Sequence, residues 1–274
     1  MSKHFRIWLF PLLGTLLTST SLLAQGVITM TTSQRVGEEI ALRIEANGNV
    51  TIEGAQKTGK KGANDRKSYR LTSQTITIRG DVTELDCYNS ELTSLDVSKN
   101  AALTNLECGE NKLTSLNVSK NTALTELTCY SNQLTSLDVS KNTALTFLNC
   151  SDNQLTSLDV SKNTALETLY CYNNQLTSLN VSQNTALETL YCPNNKLTNL
   201  NVSGCARLTI IDCSSNYIKG KAMTKLVNSL PNRRKKSSGT IFLVDRSSER
   251  RDKNRYSAAD VTTAKRKNWE VRQY

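Results

Sequence analysis

The stretch Leu145-Thr146-Phe147-Leu148-Asn149-Cys150-Ser151-Asp152-Asn153-Gln154-Leu155-Thr156-Ser157-Leu158-Asp159-Val160-Ser161-Lys162-Asn163-Thr164-Ala165 decides how the chain is read. Its text returns every 21 residues. Cys87, Cys108, Cys129, Cys150, Cys171, Cys192 and Cys213 mark the same place in successive copies. Six full copies run from Thr83, and a seventh stops near Asn216. A fixed period of this length is the signature of a stacked-repeat architecture. Around each Cys, alternate residues take opposite faces of a strand. Leu148 and Cys150 therefore point inward, and Phe147, Asn149 and Ser151 point outward. One copy cannot bury its inward residues alone, so the copies stack in register and share a core. Seven parallel strands at ~4.7–4.9 Å spacing give a sheet about 30 Å wide.

Three residues after each later Cys stands an Asn, at 111, 132, 153, 174, 195 and 216. It marks where the chain leaves the strand, and its amide is expected to bond the turn and the next repeat. The first copy has Ser90 there, as suits an imperfect terminal rung. The return segment, Leu-Thr-Ser-Leu-Asp-Val-Ser, alternates again, which predicts extended chain or short strand rather than helix. The spacing L-x-x-L-x-C-x-x-N-x-L is the leucine-rich-repeat pattern. Over residues 83–216 it resembles the 21-residue cysteine-containing repeats of internalin J-type surface proteins and of related secreted Bacteroidetes proteins. The resemblance implies a bacterial surface or secreted protein with recognition or adhesion roles and no catalytic residues.

The fold class expected is α/β and β-rich. A right-handed leucine-rich-repeat solenoid with a parallel sheet is preceded by a small all-β N-terminal cap and closed by a βαβαβ C-terminal cap. Residues 1–24 read as a signal peptide: Lys3 and Arg6, then the apolar Ile7–Leu17, then Leu23-Ala24 before a cut. That apolar run is too short to span a bilayer core of ~30 Å. Residues 25–80 hold four alternating stretches, Val27–Thr32, Ile40–Ile44, Val50–Ile52 and Thr75–Ile78, and a basic loop from Lys57 to Lys67. Residues 81–216 are the repeats. In residues 217–274, Ala222, Met223, Leu226, Val227 and Leu230 have helical spacing before Pro231. Ile241–Val244 reads as a strand, Ser257 and Asp260 as a capping box, and Trp269–Val271 as a last strand.

The net charge of +10 is uneven: +2 over residues 1–24, +4 over 25–80, −7 over 81–216 and +11 over 217–274. The basic C-terminal cluster includes Arg233, Arg234, Lys235, Lys236, Arg250, Arg251, Lys265, Arg266 and Lys267. It reads as a solvated surface, with an anionic partner as the alternative. No nucleic-acid partner, cofactor, metal or transmembrane segment is expected, and the chain reads as a monomer. The only histidine, His4, lies in the signal segment. The mature chain would then lack the usual base that activates a nucleophile.

The cysteines read as a structural ladder of reduced thiols. Their spacing does not suit zinc, their number is odd, and each stands where packing calls for a small apolar group. Cys205, in place of the Asn of the Ser-Lys-Asn turn, reads as partly accessible. The outward strand positions are where the copies differ. Tyr88, Tyr130, Phe147, Tyr170, Tyr172 and Tyr191 lie there, with Glu107 and Glu126. Tyr130, Phe147, Tyr170, Tyr172 and Tyr191 are expected to form one patch on the concave face. Such rings suit a protein or glycan ligand, one of host origin included. The alternative is cross-strand packing alone. The secreted, periplasmic or surface reading follows from the signal segment. A non-binding spacer and a hydrolase using carboxylates such as Glu107 and Glu126 are the rival functions.

Overall fold

The structure, a computed structural model, describes residues 26–61, 65–244 and 252–273. The expected signal peptide and Arg250 and Arg251 lie outside the described residues. The N-terminal region forms β1 (Val27–Thr32), β2 (Glu39–Glu53), β3 (Ala55–Lys61), β4 (Lys67–Leu71), β5 (Thr75–Asp86) and β6 (Leu92–Lys99). Two of the expected strands, Ile40–Ile44 and Val50–Ile52, are halves of the single long β2. The expected basic loop is mostly the paired strands β3 and β4, with Lys57 opposite Tyr69. Lys57 thus belongs to a hydrogen-bonded strand rather than a solvated connection. β5 runs unbroken from its antiparallel pairing with β1 into the first rung, where Leu85 lies beside Leu106. The β-rich region and the repeats therefore share one strand.

Each later rung contributes three residues: β7 (Asn105–Glu107), β8 (Glu126–Thr128), β9 (Phe147–Asn149), β10 (Thr168–Tyr170), β11 (Thr189–Tyr191) and β12 (Ile210–Asp212). They pair in parallel with a strict 21-residue offset, so Leu106, Leu127, Leu148, Leu169, Leu190 and Ile211 form one row. That row, the cysteines and the Leu and Val of the return segments are buried in a single core. Full burial of one such side chain contributes ~1.5–3 kcal/mol, so the repetition accounts for the stability of an otherwise short-stranded sheet. After β6, the return segments are extended chain and turns, with one isolated bridge between Asn180 and Asn201.

Past the repeats come α1 (Lys221–Ser229), β13 (Gly239–Val244), α2 (Ala258–Arg266) and β14 (Trp269–Gln273). The Ser257–Asp260 capping box is present at α2. β13 and β14 extend the parallel sheet by two rungs, and Trp269 seals the end of the core.

Two columns of buried Asn hold the rungs in register. Asn132 Nδ2 donates to Cys108 O (3.0 Å), Cys129 O (3.1 Å) and Tyr130 O (3.2 Å), and its Oδ1 accepts from Leu113 N–H at 2.9 Å. The inter-rung partners belong to the preceding repeat, not the next one as the sequence reading expects. The reason is the left-handed residue before each Asn, Ser131 at φ 49° here, which turns the side chain back along the stack. In the second column Asn142 Nδ2 donates to Val118 O and Asn121 O, at 3.0 and 2.8 Å. Its Oδ1 is buried with no partner among the described residues, as are those of Asn100, Asn121, Asn163 and Asn184.

All eight cysteines are free thiols and buried. Cys205 is fully buried rather than partly accessible. Its Sγ–H donates to Val181 O at 3.3 Å, the place that Asn184 Nδ2 takes on Val160 O one rung earlier. Cys205 thus fills the slot of the second Asn column.

Candidate interface on the outer face of the sheet

The residue before each Cys is half-buried or buried, and four of the seven secure the strand end. Asp86, Glu107, Asn149 and Asp212 each accept a hydrogen bond from the backbone N–H two residues on, at Tyr88 (3.0 Å), Gly109 (2.9 Å), Ser151 (3.2 Å) and Ser214 (2.9 Å). This is a local side-chain turn of the kind short acceptors favour. Ser151 also donates its hydroxyl to Asn149 Oδ1 at 2.6 Å and is buried, so it does not face solvent as the alternation predicts. Strand alternation ends at the Cys, and the chain has begun to turn by the next residue.

The remaining three positions before Cys are Thr128, Tyr170 and Tyr191. Tyr170 and Tyr191 are register partners with ring centroids 5.2 Å apart at 63°. Phe147 meets Tyr170 edge-on at 5.6 Å from the neighbouring line of positions. These rings make one continuous set over three rungs. Burial raises the Tyr191 phenol above its ordinary range, with the neighbouring Tyr170 and Asp212 adding to it.

Tyr130 belongs to a second set. Its ring lies 6.1 Å from that of Tyr88, two rungs away, because the intervening residue is Gly109. A Cβ on Gly109 would stand 2.6 Å from Tyr130 Cε1 and 2.9 Å from Glu107 Oε1. Burial, then the hydroxyl of Tyr88, pushes the Tyr130 phenol well up. The expected single patch is therefore two ring sets. Tyr172 has no ring contact with either and stands half-buried at its strand end.

Around the Tyr88–Tyr130 pair lies a groove of about 590 Å³, lined by Glu84, Asp86, Glu107, Glu126, Arg43 and Arg66 among others. Arg66 places its guanidinium 5.1 Å from the Tyr88 ring centroid, 3.9 Å from Asp86 Oδ1, and donates to Tyr88 O at 2.9 Å. Burial raises Glu107 to about 7; the Asp86 charge adds to this, while the Gly109 N–H, Thr128 and Arg66 oppose it. Sequence reasoning missed Arg43 and Arg66, because nothing in the repeat text reveals that the N-terminal strands reach this face.

In the basic C-terminal cluster, three residues tie neighbouring segments of the chain together. Arg233 is buried, donating to Leu208 O and Ser237 O at 3.0 Å each. Arg234 donates to Arg266 O, and Lys267 to Asn228 O and Leu230 O at the end of α1. A cation at a helix C-terminus is favourably placed. Among the described residues no group of His, Cys, Asp and Glu could hold a metal ion, and no helix is long and apolar enough to cross a membrane.

The stacked three-residue strands, buried thiol column and Asn-held turns make this a leucine-rich-repeat solenoid. A profile described as Leucine Rich repeats (2 copies) matches residues 143–184. Among solved structures, the chain is similar to the functional domain of InlJ from Listeria monocytogenes, which includes a cysteine ladder. Identity is 26%, over 74% of this chain and 56% of that one, with a TM-score of 0.31. It is also similar to a leucine-rich-repeat protein of Leptospira interrogans (23% identity, 64% and 44% covered, TM-score 0.51). Internalin C2 of Listeria monocytogenes is a third (19% identity, 70% and 81% covered, TM-score 0.55). The chain spans about half the length of the first two. No curated protein matches it. The fold suggests a protein-interaction domain.

Proposed function

We propose that the chain is a secreted or surface-exposed recognition module that binds a protein or glycan ligand, including one of host origin, through the outer, concave face of its sheet. The carrying observation is where the copies differ. Inward Leu and Cys and the two Asn columns recur from rung to rung, whereas the outer positions change and gather Phe147, Tyr170 and Tyr191 into contact. Aromatic residues bury large area and lose few rotamers on binding, so they serve well as anchors. A sheet pre-formed by its own core adds little ordering cost on association. The function proposed is binding without turnover, and no residue is assigned a catalytic role.

The test is a glycan and protein array probed with the chain and with a Phe147→Ala, Tyr170→Ala, Tyr191→Ala variant whose folding is checked by thermal melting. Loss of a saturable signal in the folded variant supports the reading. Binding that survives in the variant, or no saturable partner for the parent chain, overturns it, and the second result favours a spacer.

A further inference from the structure

The first three rungs differ from the others in the charge they present. Glu84, Asp86, Glu107 and Glu126 line one groove. Arg43 lies 3.9 Å from Glu84, and Arg66 lies 3.9 Å from Asp86, so the N-terminal strands cover the carboxylates of the first rung. Among the described residues no Lys or Arg stands within ion-pair distance of Glu107 or Glu126. The second and third rungs therefore carry carboxyl groups with no ion-pair partner among the described residues.

Arg66 displays what the groove holds well. Its guanidinium rests against the Tyr88 ring while facing Asp86, which combines a cation–π contact with an ionic one. The same parts recur on the next rung. Glu107 is the register partner of Asp86, and Tyr130, leaning back over Gly109, brings a second ring beside it. Glu126 adds a carboxylate to the lining of the same groove. What this second arrangement lacks, among the described residues, is the ion-paired cation.

We propose that the groove receives the guanidinium of an arginine side chain presented by a protein partner, held against Tyr130 and paired with Glu107 and Glu126. This rests on the outer face being the binding face, and it names the partner's chemistry at one end of that face. Arginine fits better than lysine, because a planar, weakly hydrated cation stacks on a ring and bonds a carboxylate at the same time. The groove is open and half-exposed, so a single side chain is bound weakly and gains strength from the rest of the partner.

The probe is N-acetyl-arginine amide, with N-acetyl-citrulline amide as the uncharged isostere. The readout is the Gly109 amide resonance of the ¹⁵N-labelled chain, since that N–H donates to Glu107 Oε1 at 2.9 Å. At about 1–10 mM, the range suited to one side chain, the arginine probe is expected to shift this resonance and the citrulline probe to leave it in place. Glu107→Gln keeps an acceptor for Gly109 and removes the charge, and is expected to weaken the response at least about tenfold, roughly one ionic contact. The Phe147, Tyr170, Tyr191 triple variant is expected to respond like the parent, so the two ring sets are tested apart. Equal shifts by both probes, no shift by arginine, or an unchanged response in Glu107→Gln each overturn the proposal. Loss of array binding in the triple variant leaves it standing.

Discussion

Tyr130 occupies the space a side chain at Gly109 would fill, its Cε1 only 2.6 Å from where a Cβ would stand. The rung between Tyr88 and Tyr130 is thus emptied so that residues two rungs apart meet at 6.1 Å. In Gly109→Ala the new methyl must push the Tyr130 ring aside. The ring is the end of a half-exposed side chain, so the stability cost is expected to stay below about 1 kcal/mol, under the range for overpacking a closed core. The ring pair should separate nonetheless. Loss of Tyr88–Tyr130 ring cross-peaks with a nearly unchanged melting temperature is the expected result. A fall of several degrees would mean that the site is rigid.

Glu107 should make the chain's stability depend on pH. Its carboxyl is raised to about 7 from the usual 4.5, first by burial and then by Asp86. The groups that face it are Asp86, Arg66, Thr128 and Tyr130, with Glu84, Glu126 and Arg43 around the same groove. Between those two values the folded chain keeps a proton that the unfolded chain releases. Stability contributed by this group therefore falls as pH rises from about 4.5 to about 7, and the penalty is constant above that. Glu107→Gln should accordingly be more stable than the parent at pH 8, by on the order of 1–2 kcal/mol after allowing for partial exposure, and no more stable at pH 4. Denaturant midpoints at the two pH values measure this. An equal difference at both would remove Glu107 as the cause.

The thiols should be silent until the chain opens. Burial pushes Cys150 to about 12 and Cys205 to about 11, and raises the other six as well. The thiolate is the reactive form, so both access and ionisation oppose labelling. Iodoacetamide at pH 8 followed by intact-mass analysis is expected to add nothing to the folded chain and eight labels in denaturant. Rapid labelling of Cys205 in the folded chain would mean that its bond to Val181 O does not hold it inside.

How much of this was legible in the sequence depends on range. The 21-residue period dictated the rungs, the inward Leu and Cys, and the parallel register, because identical text packs identically. The helix α1 was legible from its own periodicity, and α2 from the capping box of Ser257 and Asp260. The outer face was legible only in part. Alternation placed Tyr170 and Tyr191 side by side correctly, but it ran one residue too far at Ser151. It also could not see that Gly109 lets Tyr130 join Tyr88 instead of Phe147. Arg66 reaches Asp86 from 20 residues away in sequence, from the residue just before β4, a strand that obeys no repeat. Contacts of that kind are set by how β4 and β5 flank β2 in one sheet, which no local pattern encodes.

The two Asn columns should respond very differently to substitution, although both are buried and both read as Asn in the repeat text. Asn132 uses its amide fully: Nδ2 serves three carbonyls and Oδ1 receives the Leu113 N–H. Removing it in Asn132→Ala leaves a buried N–H and buried carbonyls short of partners, at ~1–3 kcal/mol for each group left unpaired. A loss of about 3 kcal/mol is expected, since neighbouring bonds take up part of the deficit. Asn142 is different, because its Oδ1 already lies buried without a partner among the described residues. The chain itself tolerates a thiol at the equivalent place, where Cys205 donates to Val181 O. Asn142→Cys gives up the bond to Asn121 O, keeps a donor for Val118 O, and removes the unpaired oxygen. The loss and the gain are of similar size, so the change should lie within about 1 kcal/mol of the parent. Chemical denaturation of the two variants decides the matter. If Asn142→Cys costs as much as Asn132→Ala, the unpaired oxygens of the second column must have partners, and that column would be as tightly bonded as the first.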